Sequence, residues 1–191
     1  MSTLLDRTLL LTKITVPLAK GGAVKRPRLI QSIESGLRGK LTAVCAPAGS
    51  GKTTVLSQWA RESGRPAAWV SLDETDNDPS KFWRYAVHAL ADAMPKGSLT
   101  QVMPLAHAIA GISVHTFLDA LLNELLAFGQ PIDWMIDDYQ VIREERIHQA
   151  MEYFIEYLPP NVHVLIASRS ELPLPVGRWT ARGELSEIGA A

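Results

Sequence analysis

The stretch LTAVCAPAGSGKTTVLSQWA, Leu41 to Ala60, constrains this chain more than any other. A short apolar run leads into a loop of small residues, and an amphipathic run follows from Thr53. A buried strand that turns through glycines into a helix can wrap its backbone around an anion. Gly49 and Gly51 let N–H groups converge on phosphate oxygens with no Cβ in the way. A helix starting near Lys52 adds unpaired N–H groups and about half a positive charge. Lys52 brings a full charge within reach of β- and γ-phosphates, and the Thr53 hydroxyl suits Mg2+. Ala48, Gly49, Ser50, Gly51, Lys52, Thr53 and Thr54 are therefore candidate nucleotide-binding residues. The strict pattern is G-x-x-x-x-G-K-[ST], and Ala46 stands at its first position. Alanine serves there if its φ is negative. The competing reading is a glycine-rich turn that merely joins a strand to a helix; the buried strand before and the helix after favour phosphate binding.

Elsewhere apolar runs alternate with helical patterns. Helices are expected at Pro27–Arg38, Thr53–Arg61, after Asp78 as N-cap with Pro79 at the first position, from Ser113 to Phe128, and from Glu144 to Leu158 before Pro159 and Pro160. Strands are expected at Leu41–Ala46, Pro66–Leu72, Pro131–Asp138, Asn161–Arg169 and Leu185–Ile188, with a loop over Pro95–Pro104. Strands that are continuously apolar and alternate with helices make a parallel sheet covered on both faces. A chain of 191 residues with 47% hydrophobic and 20% charged residues suits one domain with a sizeable core. The net charge of -1 gives no global field to recruit nucleic acid or an anionic membrane. One cysteine, Cys45, excludes an intramolecular disulfide and fits a reducing, cytoplasmic compartment. Asp6, Arg7 and Lys13 interrupt the leucine-rich start, which argues against a signal peptide, and no apolar run approaches membrane-spanning length.

A phosphate loop needs an acid on a neighbouring strand, and WMIDDYQ supplies two. Asp137 is placed to hold magnesium through water, and Asp138 to orient or deprotonate an attacking water. Arg169, ending LIASR, could point its planar fork at phosphate oxygens. Asp138, Lys52 and Arg169 are thus the candidate catalytic residues, and Thr53 and Asp137 the candidate metal ligands. Two acids closing the third strand suggest the additional-strand class of P-loop NTPases. The expectation is a three-layer αβα sandwich whose mostly parallel sheet runs 2-3-4-1-5.

Several stretches together, LLLTKITVP, KRPRLIQSIESGLRGKLTAVCAPAGSGKTTVLSQWA, AWVSLDETDNDPSKFWRYAVHAL, WMIDDYQVI, LPPNVHVLIASRSELPLP and ARGELSEI, resemble the nucleotide-binding domain of the MalT-like transcription activators, LuxR-type regulators within the STAND class of P-loop ATPases. The resemblance covers nearly the whole chain. It implies an ATP/ADP switch with Mg2+, slow hydrolysis, self-association in the ATP state and no membrane role. It places Lys52 and Thr53 in Walker A, Asp137 and Asp138 in Walker B, Arg169 at a sensor position, and Arg28 of VKRPRL near the adenine. On the residues alone, Lys25, Arg26 and Arg28 read as a solvated basic turn. The resemblance also suggests that Arg178 and Arg182 pack toward nucleotide or a neighbouring subunit. It divides the chain into a segment, 1–26, leading to the nucleotide site, and a P-loop domain, 27–191, truncated before winged-helix, sensor and DNA-binding regions, so that DNA would be contacted only through parts absent here. The alternatives are a nucleotide-binding interaction module without hydrolysis and a small-molecule P-loop kinase. The latter suits poorly a phosphate loop some 45 residues from the start and a long loop without arginine.

The acids Asp73, Glu74, Asp76 and Asp78 lack the glycine of a calcium loop, and the five histidines lack metal spacing. Cys45 reads as a small buried residue, and Phe82 and Trp83 as core.

Overall fold

A computed structural model of the chain describes residues 9–18 and 26–189. Much of the expected leading segment, including Lys25, lies outside the described residues. The elements are α1 (Pro27–Gly36), β1 (Leu41–Cys45), α2 (Lys52–Glu62), β2 (Ala67–Ser71), α3 (Pro79–Ala93), α4 (Val102–His107), α5 (Val114–Phe128), β3 (Ile132–Asp137), α6 (Glu145–Glu156), β4 (Val162–Ser168), α7 (Val176–Ala181) and β5 (Leu185–Ile188).

The sheet order is β2-β3-β4-β1-β5, with all four pairings parallel. This is the expected αβα P-loop arrangement. Its central feature is β4 lying between β1 and β3, with Cys45 beside Ser168 and Ile136 beside Ile166. The carboxyl ends of β1, β4 and β3 therefore finish side by side, where ligands bind in open α/β sheets.

Successive strand residues point to opposite faces. Val44, Trp69, Met135 and Leu165 join Ile33 of α1 and Val55, Leu56 and Trp59 of α2. Ala43, Val70, Trp134, Ile136, Val164 and Ile166 face a larger layer carrying Trp83, Phe117 and Phe154. Trp83, fully buried, has the rings of Phe82, Phe117, Trp134 and Phe154 around it with centroids 5.3 to 6.1 Å away. Contacts of this kind add about 0.5–1.5 kcal/mol each beyond burial.

Asp78 caps α3, accepting from the Lys81 N–H at 2.7 Å. Ser113 does occupy the N-cap of α5 but makes no side-chain cap bond. Two expectations need correction. The segment Pro95–Pro104 is not all loop, because α4 begins at Val102 and runs through Pro104. Proline is tolerated there because first-turn N–H groups have no partner within the helix. The chain after β4, where only the strand Leu185–Ile188 was expected, also holds α7, fixed by buried Trp179, whose Nε1 donates to Glu156 Oε2 at 3.1 Å. Arg178 and Arg182 pair with Glu152 and Glu156 of α6, so the tail arginines bind the domain's own helix.

Several buried polar groups are paired across long sequence distances. Asp133, fully buried at the start of β3, accepts from both Arg65 and Trp59. Lys13 bridges Asp73 at 2.9 Å and also Asp76, with its ammonium over the Tyr85 ring at 4.9 Å. Two acids of the crowded loop thus hold Lys13 and the short turn around it, a role the sequence reading did not assign. Burial alone would lower the Lys13 pKa; the bonds to Asp76 and Asp73 outweigh it and raise it.

Candidate nucleotide site

The loop between β1 and α2 has the backbone its sequence demands. Gly49 and Gly51 sit at φ 77° and 85°, in the left-handed region where a Cβ is strained. Ala46 does not: among the described residues, Leu99 and Asp138 alone combine a side chain with a positive φ. Alanine meets the condition set for it, and its methyl is buried against the strand.

Lys52, at the first turn of α2, is 8% exposed. Its Nζ donates to the carbonyls of Ala46 at 2.6 Å and Pro47 at 2.9 Å, with Ser50 Oγ at 3.5 Å. The ammonium is folded back on the loop's own oxygens, which occupy donors that phosphate oxygens would otherwise take. Thr53, next along the helix, donates from Oγ1 to Asp137 Oδ2 at 2.6 Å. Burial pushes the Asp137 carboxyl above its usual range, against the opposing pull of the Thr53 bond. A buried carboxylate beside a hydroxyl at the end of a phosphate loop is an oxygen pair that a hard divalent cation satisfies. Thr54 follows in α2, and Ala48 lies exposed at the loop's tip.

Asp138 leaves the strand in a left-handed conformation, φ 61° and ψ 38°. Its N–H donates to Asp137 Oδ1 at 3.0 Å, so the chain turns between the two acids instead of continuing the strand. Asp138 Oδ1 accepts from Gln140 Nε2 at 2.8 Å and has Arg169 Nη2 at 3.5 Å. Gln140 Oε1 accepts the Arg169 N–H at 2.9 Å. The structure therefore brings Lys52, Thr53 and Asp137 together, and joins Asp138 to Arg169.

Arg28 is exposed on the first turn of α1. The arginine that reaches the loop is Arg26, whose Nη1 donates to the Ser50 carbonyl at 2.8 Å and whose guanidinium lies 3.5 Å from where a Gly51 Cβ would stand. Arg26 lines a cleft with Leu29, Val44, Lys52, Val55 and Ile188 beside the phosphate loop. Sequence reasoning read Arg26 only as part of a solvated basic turn and passed over Gln140. Pro27 at the first helical position was the available signal for Arg26, since it makes the preceding residue the cap. Cys45 is half-buried beside the loop, and burial raises its thiol pKa. Among the described residues no cluster of histidine, cysteine and acidic side chains could hold a metal by itself, and no helix is long and apolar enough to cross a membrane.

No family model matches the chain. Curated relatives do. Over 179 residues it is 34% identical to the HTH-type transcriptional regulator MalT of Serratia proteamaculans, covering 93% of this chain and 20% of the relative. Over 178 residues it is 31% identical to MalT of Vibrio cholerae, with the same coverage. The chain thus spans about a fifth of the length of the curated relatives it matches. Among solved structures it is similar to the STAND protein PH0952 of Pyrococcus horikoshii, which carries a tetratricopeptide repeat sensor (TM-score 0.62, 14% identity, 91% of this chain and 24% of that one). It is also similar to Cdc6p of Pyrobaculum aerophilum (TM-score 0.58, 13% identity, 96% of this chain and 49% of that one). At those identities the structural likeness speaks for the αβα P-loop fold alone, and the MalT sequences supply the kinship: over nearly its whole length the chain is MalT-like.

Proposed function

We propose that this domain binds ATP or ADP with Mg2+ at the loop from Ala46 to Thr54 and serves as the nucleotide switch of a MalT-like transcriptional regulator, hydrolysing ATP slowly. The observation that carries the reading is the bond from Thr53 to buried Asp137, at the foot of a loop whose glycines adopt left-handed backbone. On binding, Lys52 exchanges the Ala46 and Pro47 carbonyls for phosphate oxygens. The N–H groups that open α2 face the same anion. Thr53 Oγ1 and the Asp137 carboxylate, now bonded to each other, would hold the cation. Bound magnesium would supply neutralisation of phosphate charge. Asp138 takes the proton of the attacking water at its carboxylate, and Arg169, now 3.5 Å from that carboxylate, turns to the γ-phosphate. Arg26, over Ser50 and beside the apolar cleft, is the better-placed candidate for the role expected of Arg28.

The remaining expectations belong to the same proposal: the segment 1–26 leads to the site, 27–191 is the switch, copies self-associate when ATP is bound, and DNA is contacted by other regions of a longer regulator. A binding module without hydrolysis is the second reading. The engagement of Asp138 by both Gln140 and Arg169 favours it, since a base so held is not yet free for water. Against a small-molecule kinase stands the segment after Pro95, whose Leu99 and Val102 are packed in the core and form no basic lid. The test is thermal unfolding with and without nucleotide. Ligand at a hundred times Kd adds about 2.7 kcal/mol, so Mg-ATP and Mg-ADP should each raise Tm; no shift with either would contradict the proposal.

A further inference from the structure

We propose that Gln140 is a positioning residue that couples the acid ending β3 to the tip of β4. One amide makes both bonds: Nε2 donates to Asp138 Oδ1 at 2.8 Å, and Oε1 accepts the backbone N–H of Arg169 at 2.9 Å. The amide is half-buried, in the short helical turn Tyr139–Val141 that follows Asp138. β3 and β4 are already paired through Ile136 and Ile166, but that ladder stops short of the residues that matter. Beyond it, Asp138 has left the strand and Arg169 has passed the last residue of β4, so no sheet bond fixes one relative to the other. Gln140 replaces the missing rung with a side chain. Donor and acceptor on one planar group cannot move independently. A displacement of Arg169 toward phosphate therefore reaches the Asp138 carboxylate through Gln140, and the ion pair between Asp138 and Arg169 at 3.5 Å is held or released in the same movement. The inference rests on the nucleotide-switch reading and deepens it: Gln140 is what makes the site respond to the γ-phosphate as one unit.

Three variants separate the halves of the bridge. Gln140→Leu removes both bonds at similar volume. Gln140→Glu keeps an acceptor for the Arg169 N–H but loses the donor and sets a negative charge against Asp138. Gln140→Asn keeps both functions on an arm too short to span them. Calorimetry with Mg-ADP should show all three within about threefold of the unaltered protein, because Gln140 touches neither the loop nor Lys52. Single-turnover hydrolysis with excess protein should fall by about tenfold or more in all three, the scale of a misplaced reacting group. The ratio of affinities for a non-hydrolysable ATP analogue and for ADP should move toward one. A merely structural glutamine would lower both affinities or neither and leave the ratio unchanged. If the unaltered protein binds nucleotide without hydrolysing it, the ratio alone decides. Gln140→Leu with unchanged turnover, or with an unchanged ratio where there is no turnover, overturns the coupling while leaving the switch reading intact. Failure of the unaltered protein to bind either nucleotide overturns the switch reading and this inference with it.

Discussion

Thr53 and Asp137 lie 84 residues apart in the chain and meet in a 2.6 Å hydrogen bond from Oγ1 to Oδ2. The bond spans two strands of the sheet: Thr53 follows β1, Asp137 ends β3, and β4 lies between them. Asp137 is 3% exposed. A carboxylate so buried loses most of its water and gains from any cation that replaces it. Asp137→Asn should therefore lower the gain in ATP affinity that Mg2+ brings by about tenfold, or 1.4 kcal/mol. Affinity measured in magnesium and in chelator checks this. An undiminished magnesium effect would show that the cation is held without Asp137.

In the proposed switch, Asp138 is assigned to the attacking water and not to the bound nucleotide. Asp138→Asn should keep Mg-ATP affinity within a few-fold and lower single-turnover hydrolysis by about 10²-fold, the usual scale for a lost general base. Asparagine also accepts the left-handed backbone seen at this position, so folding should be unaffected. Equal rates for variant and unaltered protein would remove Asp138 from the chemistry.

Ala46 carries a negative φ in a buried position. Restoring the strict pattern with Ala46→Gly should leave ATP affinity within about twofold and destabilise the fold by about 0.4–1 kcal/mol, through the greater freedom of glycine in the unfolded chain. Denaturant unfolding and calorimetry on the same variant separate the two effects. Tighter nucleotide binding would mean that the alanine strains the loop.

His163 sits in β4 with Nε2 2.9 Å from Thr42 Oγ1 and Nδ1 2.9 Å from the Gly39 carbonyl. A neutral ring donating from Nδ1 and accepting at Nε2 satisfies both. Burial lowers its pKa below the ordinary 6.5. The unfolded chain therefore takes up the proton first, and stability present above pH 6.5 should decline as pH falls toward the depressed value. Burial also lowers the pKa of His148, whose Nδ1 pairs with Tyr139. His163→Gln should thus reduce the loss of unfolding free energy between pH 7 and pH 5.5 without abolishing it. An unchanged slope would exclude His163 as a contributor.

The sheet was legible because each strand is a continuous apolar run and each crossover carries a helical pattern. The acids after Ile136 placed β3, and through it the strand order. Arg26 was less legible because its role depends on the phase of α1: Pro27 starts the helix, which turns Arg26 toward Ser50 and leaves Arg28 on an exposed turn. α4 was hidden by Pro104, which its first turn tolerates. The bond from Lys13 to Asp76 joins residues 63 apart, and no local pattern announces such a pair. Nor does any pattern mark Gln140, whose two partners depend on where separate strands end.

The most direct test of the nucleotide site is calorimetric titration of Mg-ATP into the unaltered domain and into Lys52→Ala. Lys52 is the charge folded back on Ala46 and Pro47, and its removal leaves the glycines and Thr53 in place. The account predicts binding by the unaltered domain and at least a tenfold weaker affinity in the variant, about 1.4 kcal/mol or more. Equal affinity in the two proteins would contradict it, because the loop from Ala46 to Thr54 would then be a structural turn and the nucleotide would lie elsewhere.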